Sequence, residues 1–314
     1  MKVVITEMNW PEGINLLKQH ADVTYEPSLW KDREQLLVSL EKAEALIVRN
    51  QTQVDEELLT HAPNLKVIGR LGVGLDNIDL EAARSKEIPV VFARNANAIS
   101  VSEYVLSTIL MKSRNLFDVT ASVKAGKWDR RTYTGEEVFG KTIGFIGLGE
   151  IGMRLARRAK ALGMNVVGYD PFMAPFDYAF HEVGLESRSF ENVLEESNFI
   201  TLHVPFNKHT ENLIGENELN KMKENVTIIN TSRGGIINEP DLYSFLSANP
   251  KTFAILDVFQ QEPPAKEHPI FNLENVLLTP HISGLTEQSQ QRTSIMVAEE
   301  VLHELNGQKS LCRV

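Results

Sequence analysis

An α/β fold with two doubly wound parallel sheets is what this sequence predicts, and two observations carry that expectation. Short β-branched and apolar runs alternate along the chain with amphipathic helical stretches, the pattern of parallel strands joined by helical crossovers. Midway, a buried-strand pattern runs into a glycine-rich turn and then a helix, Thr142-Ile-Gly-Phe-Ile-Gly147-Leu-Gly149-Glu150-Ile151-Gly152.

Taken in order, strands are expected at 3–6, 23–26, 45–49, 66–69 and 90–92, which together make one compact α/β unit. Two long helices, 100–114 and 117–125, then carry the chain across. A second series of strands starts at Thr142 and continues at 165–169, 199–204, 226–231, 253–257 and 276–278, with the glycine turn on its first strand. The apolar face of Val101, Val105, Ile109 and Leu110 with Phe117 fits either a core against the second domain or a subunit contact. The sequence contains no internal repeat, low-complexity segment or flexible linker.

Composition narrows the function. The 314 residues are enough for two domains, each with its own core. The 32 basic and 42 acidic residues give a net charge of −10, which argues against a general affinity for nucleic acid or an anionic membrane. Cys312 is the only cysteine, so neither an intrachain disulfide nor a cysteine metal cluster is expected, and no metal is called for. The opening Met1-Lys-Val-Val-Ile-Thr-Glu has too short an apolar run for a signal peptide, and no later run is long enough to span a membrane. A cytoplasmic location is the expectation.

The glycine run reads as a dinucleotide site. Gly147 permits the tight turn, Gly149 lets backbone amides approach a pyrophosphate, and Gly152 lets a helix over 153–162 pack close to the strand. Asp170 ends the next apolar run, 18 residues past Gly152, where an acid can hydrogen-bond the adenosine ribose. NAD is therefore the expected cofactor.

Chemistry is expected at the carboxyl ends of the second sheet's strands. The run Ile229-Asn-Thr231-Ser232-Arg233-Gly-Gly235 puts an arginine among small residues, where a guanidinium can clamp a carboxylate. Asp257 and Glu262 follow the next strand, with two prolines after Glu262. His281 follows Pro280 at another strand end. Glu262 and His281 can meet as an acid and an imidazole. Singly, each has an ordinary explanation as a turn histidine, a surface cation or a loop acid. Their joint occurrence after successive strands favours catalysis.

These motifs resemble the D-isomer-specific 2-hydroxyacid dehydrogenases, the family of phosphoglycerate, glycerate, D-lactate and formate dehydrogenases. The resemblance rests on Arg70-Leu-Gly-Val-Gly-Leu-Asp-Asn-Ile-Asp79, the glycine fingerprint, Thr201-Leu-His203-Val204-Pro205, Asn230-Thr-Ser-Arg-Gly-Gly235, Asp257 with Glu262-Pro-Pro, and Pro280-His281. It implies a discontinuous flavodoxin-like substrate domain, 1–99 with 286–314, and a Rossmann NAD-binding domain, 100–285, with the cleft between them. It also implies that Arg233 binds the substrate carboxylate, that His281 moves a proton at the C2 oxygen, and that Glu262 orients the imidazole. By the same resemblance, cofactor contacts come from Gly147, Gly149, Glu150, Ile151, Gly152, Asp170, His203, Val204, Pro205, Thr231, Ser232, Arg233, Asp257, His281 and Gly284. The turn Leu71, Gly72, Val73, Gly74 corresponds to the family's carboxylate-binding loop.

Arg49, Arg70 and Arg94 follow strand ends of the first domain. With Arg130, which the resemblance brings from a partner subunit, they point to a dianionic substrate of the 3-phosphoglycerate kind; ion pairs or solvent contacts are the other explanation for them. A plain hydroxypyruvate or glyoxylate reductase is the alternative within the enzymes. A different class also exists among relatives of this fold, NAD-sensing corepressors that keep the same Arg, Glu and His. The resemblance further implies a homodimer built on the connecting helices. Two features depart from it. Glu150 stands where many relatives carry arginine, and the chain stops at Val314, so the regulatory C-terminal extension of some phosphoglycerate dehydrogenases is expected to be absent.

Overall fold

The computed structural model describes the backbone of residues 1–314 and all side chains but those of 178 and 179. It divides into two compact units, 1–97 with 285–314, and 98–284.

In the first unit β1 (Lys2–Ile5), β2 (Asp22–Tyr25), β3 (Ala45–Val48), β4 (Val67–Arg70) and β5 (Val90–Phe92) form one parallel sheet in the order 2-1-3-4-5. The strands are linked by α1 (Pro11–Lys18), α2 (Arg33–Leu40), α3 (Glu56–Thr60) and α4 (Leu80–Ser85). All four residues of β3 are buried, as expected for a central parallel strand covered on both faces. Pro11 opens α1, where its missing N–H leaves no bond unmade. Asp32, Asp55 and Asp79 cap α2, α3 and α4 by accepting the N–H groups of Gln35, Leu58 and Ala82.

The second unit opens with α5 (Ala98–Ser113) and α6 (Leu116–Lys124). Its seven parallel strands are β6 (Thr142–Ile146), β7 (Asn165–Tyr169), β8 (Glu186–Ser187), β9 (Phe199–Leu202), β10 (Thr227–Asn230), β11 (Phe253–Leu256) and β12 (Val276–Leu278), in the order 12-11-10-9-6-7-8. The order reverses between β6 and β9, and that is where open α/β sheets bind nucleotides. The crossovers are α7 (Glu150–Ala161), α8 (Tyr178–Val183), α9 (Phe190–Glu196), α10 (Glu216–Leu219) and α11 (Glu239–Ala248). The last helix, α12 (Glu287–Leu305), belongs to the first unit. It is tied to α1 by the Gly13 N–H donating to Ser294 Oγ at 3.1 Å.

Three local expectations change. Helix α7 starts at Glu150, three residues before the expected 153, because Gly149 itself is the N-cap in extended backbone. The two-residue edge strand β8 was not anticipated. The apolar face of α5 also splits: Val105 and Ile109 lie in the unit's own core with Phe145 and Leu155, and Val101 is buried too, whereas Leu110 and Phe117 are exposed. Among the described residues, no helix is long and apolar enough to cross a membrane.

Candidate active site

Because every strand of the second sheet is parallel, the turns after β6, β7, β9, β10, β11 and β12 share one edge. The glycine turn is the first of them. Gly147 has φ +92°, and a Cβ there would come within 2.6 Å of His203 O. Gly149 differs in kind, because a Cβ on it would meet no protein atom within 4 Å. Glycine at 149 therefore answers to something outside the protein, as a phosphate-approach position should. Met153 N is the first amide paired back into α7, to Gly149 O at 3.0 Å, so the amides of Glu150, Ile151 and Gly152 are the unpaired donors of a helix start. The Glu150 carboxylate turns along the helix to Arg154, 3.0 Å away, and leaves those amides uncovered.

Asp170 lies beside this turn. Its Oδ2 accepts the Leu148 N–H at 2.9 Å and its Oδ1 the Phe172 N–H at 2.9 Å. The exposed loop after it, Pro171-Phe172, carries no cation. His203 lies under the turn, stacked on Phe145 with ring centroids 6.1 Å apart. Its Nε2 meets Thr201 Oγ1 at 2.9 Å. Burial pushes its pKa down to about 3, so the ring is neutral. His203 Nδ1 and Thr231 Oγ1 are both buried without a protein partner, and a bound molecule could supply one. Val204 is half-buried against the core beside the turn, and Pro205 is exposed.

Arg233 stands on a turn stapled by the buried Asn230. That side chain accepts the Ser232 N–H at 3.0 Å and donates to Arg233 O at 2.8 Å. Ser232 Oγ donates to Leu202 O at 2.6 Å, which ties the turn to β9. A Cβ on Gly234 would sit 1.9 Å from Phe259 O, so glycine here lets the Arg233 turn and the Glu262 loop touch. Glu262 Oε1 accepts the Phe259 N–H at 3.1 Å, and its Oε2 meets His281 Nδ1 at 2.8 Å. Burial raises the Glu262 pKa, but the His281 hydrogen bond and charge outweigh it, helped by the Arg233 guanidinium, and the net shift is downward. The carboxylate is thus held ionised between an imidazole and an arginine. With Nδ1 engaged, Nε2 is the nitrogen of His281 left to face a ligand.

Asp257 is fully buried, and both of its oxygens are taken by the His281 turn. Oδ1 accepts from Thr279 Oγ1 at 2.5 Å and from Ile282 N at 2.8 Å, and Oδ2 from Ser283 N at 2.8 Å. The task visible for Asp257 is therefore to hold this turn, a role that its expectation as a cofactor contact did not include. Gly284 closes the same loop and is half-buried.

In the first unit, the carboxyl edge holds Arg49 after β3, Arg70 as the last residue of β4, and Arg94 after β5. Arg49 packs over the Trp10 ring, 5.6 Å from its centroid, and donates to Gln290 Oε1 at 3.3 Å. Burial lowers its pKa, against the nearby charge of Glu7. Arg70 donates to Leu71 O at 3.1 Å, while Arg94 is exposed beside Cys312. In the loop Leu71, Gly72, Val73, Gly74 the first two amides are used internally, by Val48 O and Arg70 O. The expectation that the whole loop offers amides thus narrows to Val73 and Gly74, which donate to no described protein acceptor. Arg130 lies in the second unit on an exposed segment.

Sequence reasoning missed Glu7. It is buried and accepts four backbone N–H groups, those of Arg49, Asn50, Gln51 and Thr52, at 2.8 to 3.1 Å. Burial raises its pKa, yet these bonds bring the net shift below the ordinary value. A side chain reaching a turn more than 40 residues away leaves no local sequence signal.

A glycine turn at the reversal of a parallel sheet, with an arginine and an acid–imidazole pair on the same edge, defines a dinucleotide-dependent class of protein. Residues 106–283 match the model of the D-isomer specific 2-hydroxyacid dehydrogenase NAD binding domain, and the chain belongs to that family. It is 42% identical to a D-3-phosphoglycerate dehydrogenase of Methanocaldococcus jannaschii over 98% of this chain and 58% of that relative. It is 41% identical to an (S)-sulfolactate dehydrogenase of Chromohalobacter salexigens, over 95% of this chain and 96% of the relative. The solved D-lactate dehydrogenase of Aquifex aeolicus, complexed with NAD and lactic acid, superposes with a TM-score of 0.85 at 30% identity, covering 97% of this chain and 96% of that one. The chain thus spans a little over half the length of the phosphoglycerate dehydrogenase it matches.

Proposed function

We propose that this protein is an NAD-dependent oxidoreductase that interconverts a D-2-hydroxy acid and its 2-keto acid. The observation that carries this reading is the 2.8 Å pairing of Glu262 with His281, beside Arg233 and on the sheet edge that bears the glycine turn. NADH, when bound, supplies the hydride to C2. The residues that would hold it are the amides of 149–152, Asp170, His203, Thr231 and Ser232; the open face of Gly149 and the unpartnered atoms of His203 and Thr231 fit such a group.

The chain's own residues do the rest. Arg233 grips the substrate carboxylate and polarises the C2 carbonyl, so negative charge that develops on that oxygen meets a cation. His281, its Nδ1 held by Glu262, gives a proton from Nε2 to the C2 oxygen as the C–H bond forms. In the oxidative direction Nε2 takes the hydroxyl proton back. Glu262 keeps Nδ1 protonated and fixes the ring.

The preferred substrate is dianionic, with Arg49 and Arg70 reading the second acidic group, helped by the Val73 and Gly74 amides at the carboxylate. The cations on the first unit's edge support this, and so do the substrates named for two relatives, phosphoglycerate and sulfolactate, each of which carries a second acid. The exposed Leu110, Leu116, Phe117 and Val123 support a second copy of this chain as the partner of α5 and α6. A screen of 2-keto acids with NADH and with NADPH tests the assignment. Turnover with NADH is expected to exceed that with NADPH, because Asp170 repels a 2′-phosphate and Phe172 offers no cation. No turnover on any 2-keto acid would overturn the enzymatic reading, and a preference for NADPH would remove Asp170 as the ribose ligand.

A further inference from the structure

The His281 turn carries a backbone strain and an unusual set of restraints. His281 has φ +54°, a left-handed conformation that is unfavourable for a residue with a Cβ. Its own N–H donates to Asp257 O at 2.9 Å and to Thr279 O at 3.1 Å. The next two amides, Ile282 and Ser283, donate to the two oxygens of Asp257. The conformation is therefore imposed from Asp257, and whatever fixes that carboxylate fixes the histidine.

One residue from outside the turn joins this network through Thr279. Thr279 Oγ1 lies 2.5 Å from Asp257 Oδ1 and 2.6 Å from Tyr104 Oη on α5. Chemistry sets the direction of this chain. A carboxylate only accepts, so Thr279 spends its single proton on Asp257 and must accept from Tyr104. Tyr104 is the terminal donor and has to stay protonated; burial, with the Asp257 charge, raises its pKa against the Thr279 hydrogen bond. Hydroxyls aligned toward a buried charge polarise one another and resist rotation.

We propose that Tyr104 is a positioning residue for His281, acting through Thr279 and Asp257 to hold the backbone on which the imidazole stands. The Tyr104 hydroxyl bonds to Thr279 and not to the acid–imidazole pair, and neither composition nor spacing marks the residue. Its side chain is half-buried against the core cluster that includes residues of β6 and α7, so the chain of hydrogen bonds anchors the reactive turn to the packed core of its unit. The catalytic part of this inference rests on the role proposed for His281; the restraint on the turn does not.

The test compares Tyr104→Phe, Thr279→Val and Thr279→Ser by two measurements. Amide hydrogen exchange across 281–283 needs no substrate. It is expected to be about five- to tenfold faster in Tyr104→Phe, the scale of one net hydrogen bond, faster still in Thr279→Val, and restored in Thr279→Ser. Where the enzyme turns over, kcat falls by a similar factor, the KM for NADH holds, and the solvent deuterium isotope effect on kcat rises as proton transfer from a displaced imidazole becomes limiting. Unchanged exchange in Tyr104→Phe would overturn the proposal whatever the activity does. So would a fall in kcat explained by loss of folded protein with an unaltered isotope effect. Altered exchange in a protein that turns over no 2-keto acid would uphold the restraint and refute the proposed reaction instead.

Discussion

Two turns of this molecule are built on the same device and put to different ends. After β3 in the first unit, residues 49–52 wrap around the buried carboxylate of Glu7, which accepts four backbone N–H groups. After β12 in the second unit, residues 279–283 wrap around the buried carboxylate of Asp257. Each acid follows one strand and organises the turn after another, which a buried charge can do only when donors surround it. The turns differ in what they present. The Asp257 turn offers a histidine already paired with Glu262, a unit complete in itself. The Glu7 turn offers Arg49, a desolvated cation stacked on Trp10 with Glu7 as its nearby charge. In the proposed reaction, chemistry is preorganised within the second unit, whereas the first presents positive charge.

The comparison breaks if the cations of the first unit do not select an anion. On a dianionic 2-hydroxy acid, Arg70→Ala is expected to reduce kcat/KM by about ten- to a hundredfold, the scale of one charge-assisted hydrogen bond. On lactate or glycerate it should change little, because the Arg233 grip is untouched. Equal loss on both substrates would mean that Arg70 holds its loop and reads no second acid. Arg94→Ala, at an exposed position, is expected to have the smaller effect.

A smaller effect sharpens the structural half. Glu7→Gln keeps the shape but loses the charge that four N–H groups share, and should cost about 1.5–3 kcal/mol at neutral pH. The pH dependence has a definite sign. The folded-state pKa of Glu7 lies below its ordinary 4.5, so its contribution is full above about 4.5 and is lost as pH falls through the lower folded value. Urea unfolding at pH 7 and at pH 3.5 checks this: the gap between wild type and variant should narrow in acid. A gap independent of pH would make the Glu7 carboxylate merely a space-filling group.

Much of this was legible in the sequence, for physical reasons. Buried parallel strands advertise themselves as short apolar runs, so β5, β7 and β12 begin and end where the pattern puts them. The glycine turn, Arg233, Glu262 and His281 stood out because each breaks that pattern at a strand's carboxyl end. What stayed hidden was non-local. Glu186–Ser187 is too short to show a period. Gly149 caps α7 without the side chain that usually marks a helix start. Glu7, and the hold of Asp257 on the His281 turn, depend on bonds between residues 22 to 45 positions apart in sequence, and Tyr104 on one across 175. Val101 and Leu110 share one apolar run on α5, yet packing alone decides that the first is core and the second surface.

The central claim is that His281 moves the proton at C2, beyond any contact it makes with the cofactor. It is tested most directly by measuring, in the same preparation of His281→Gln, NADH binding by fluorescence and single-turnover reduction of a 2-keto acid. The account predicts an NADH affinity close to wild type and a rate lower by roughly 100-fold or more, the scale of a lost general acid. A near-normal rate, or a rate loss fully explained by failed NADH binding, would contradict it.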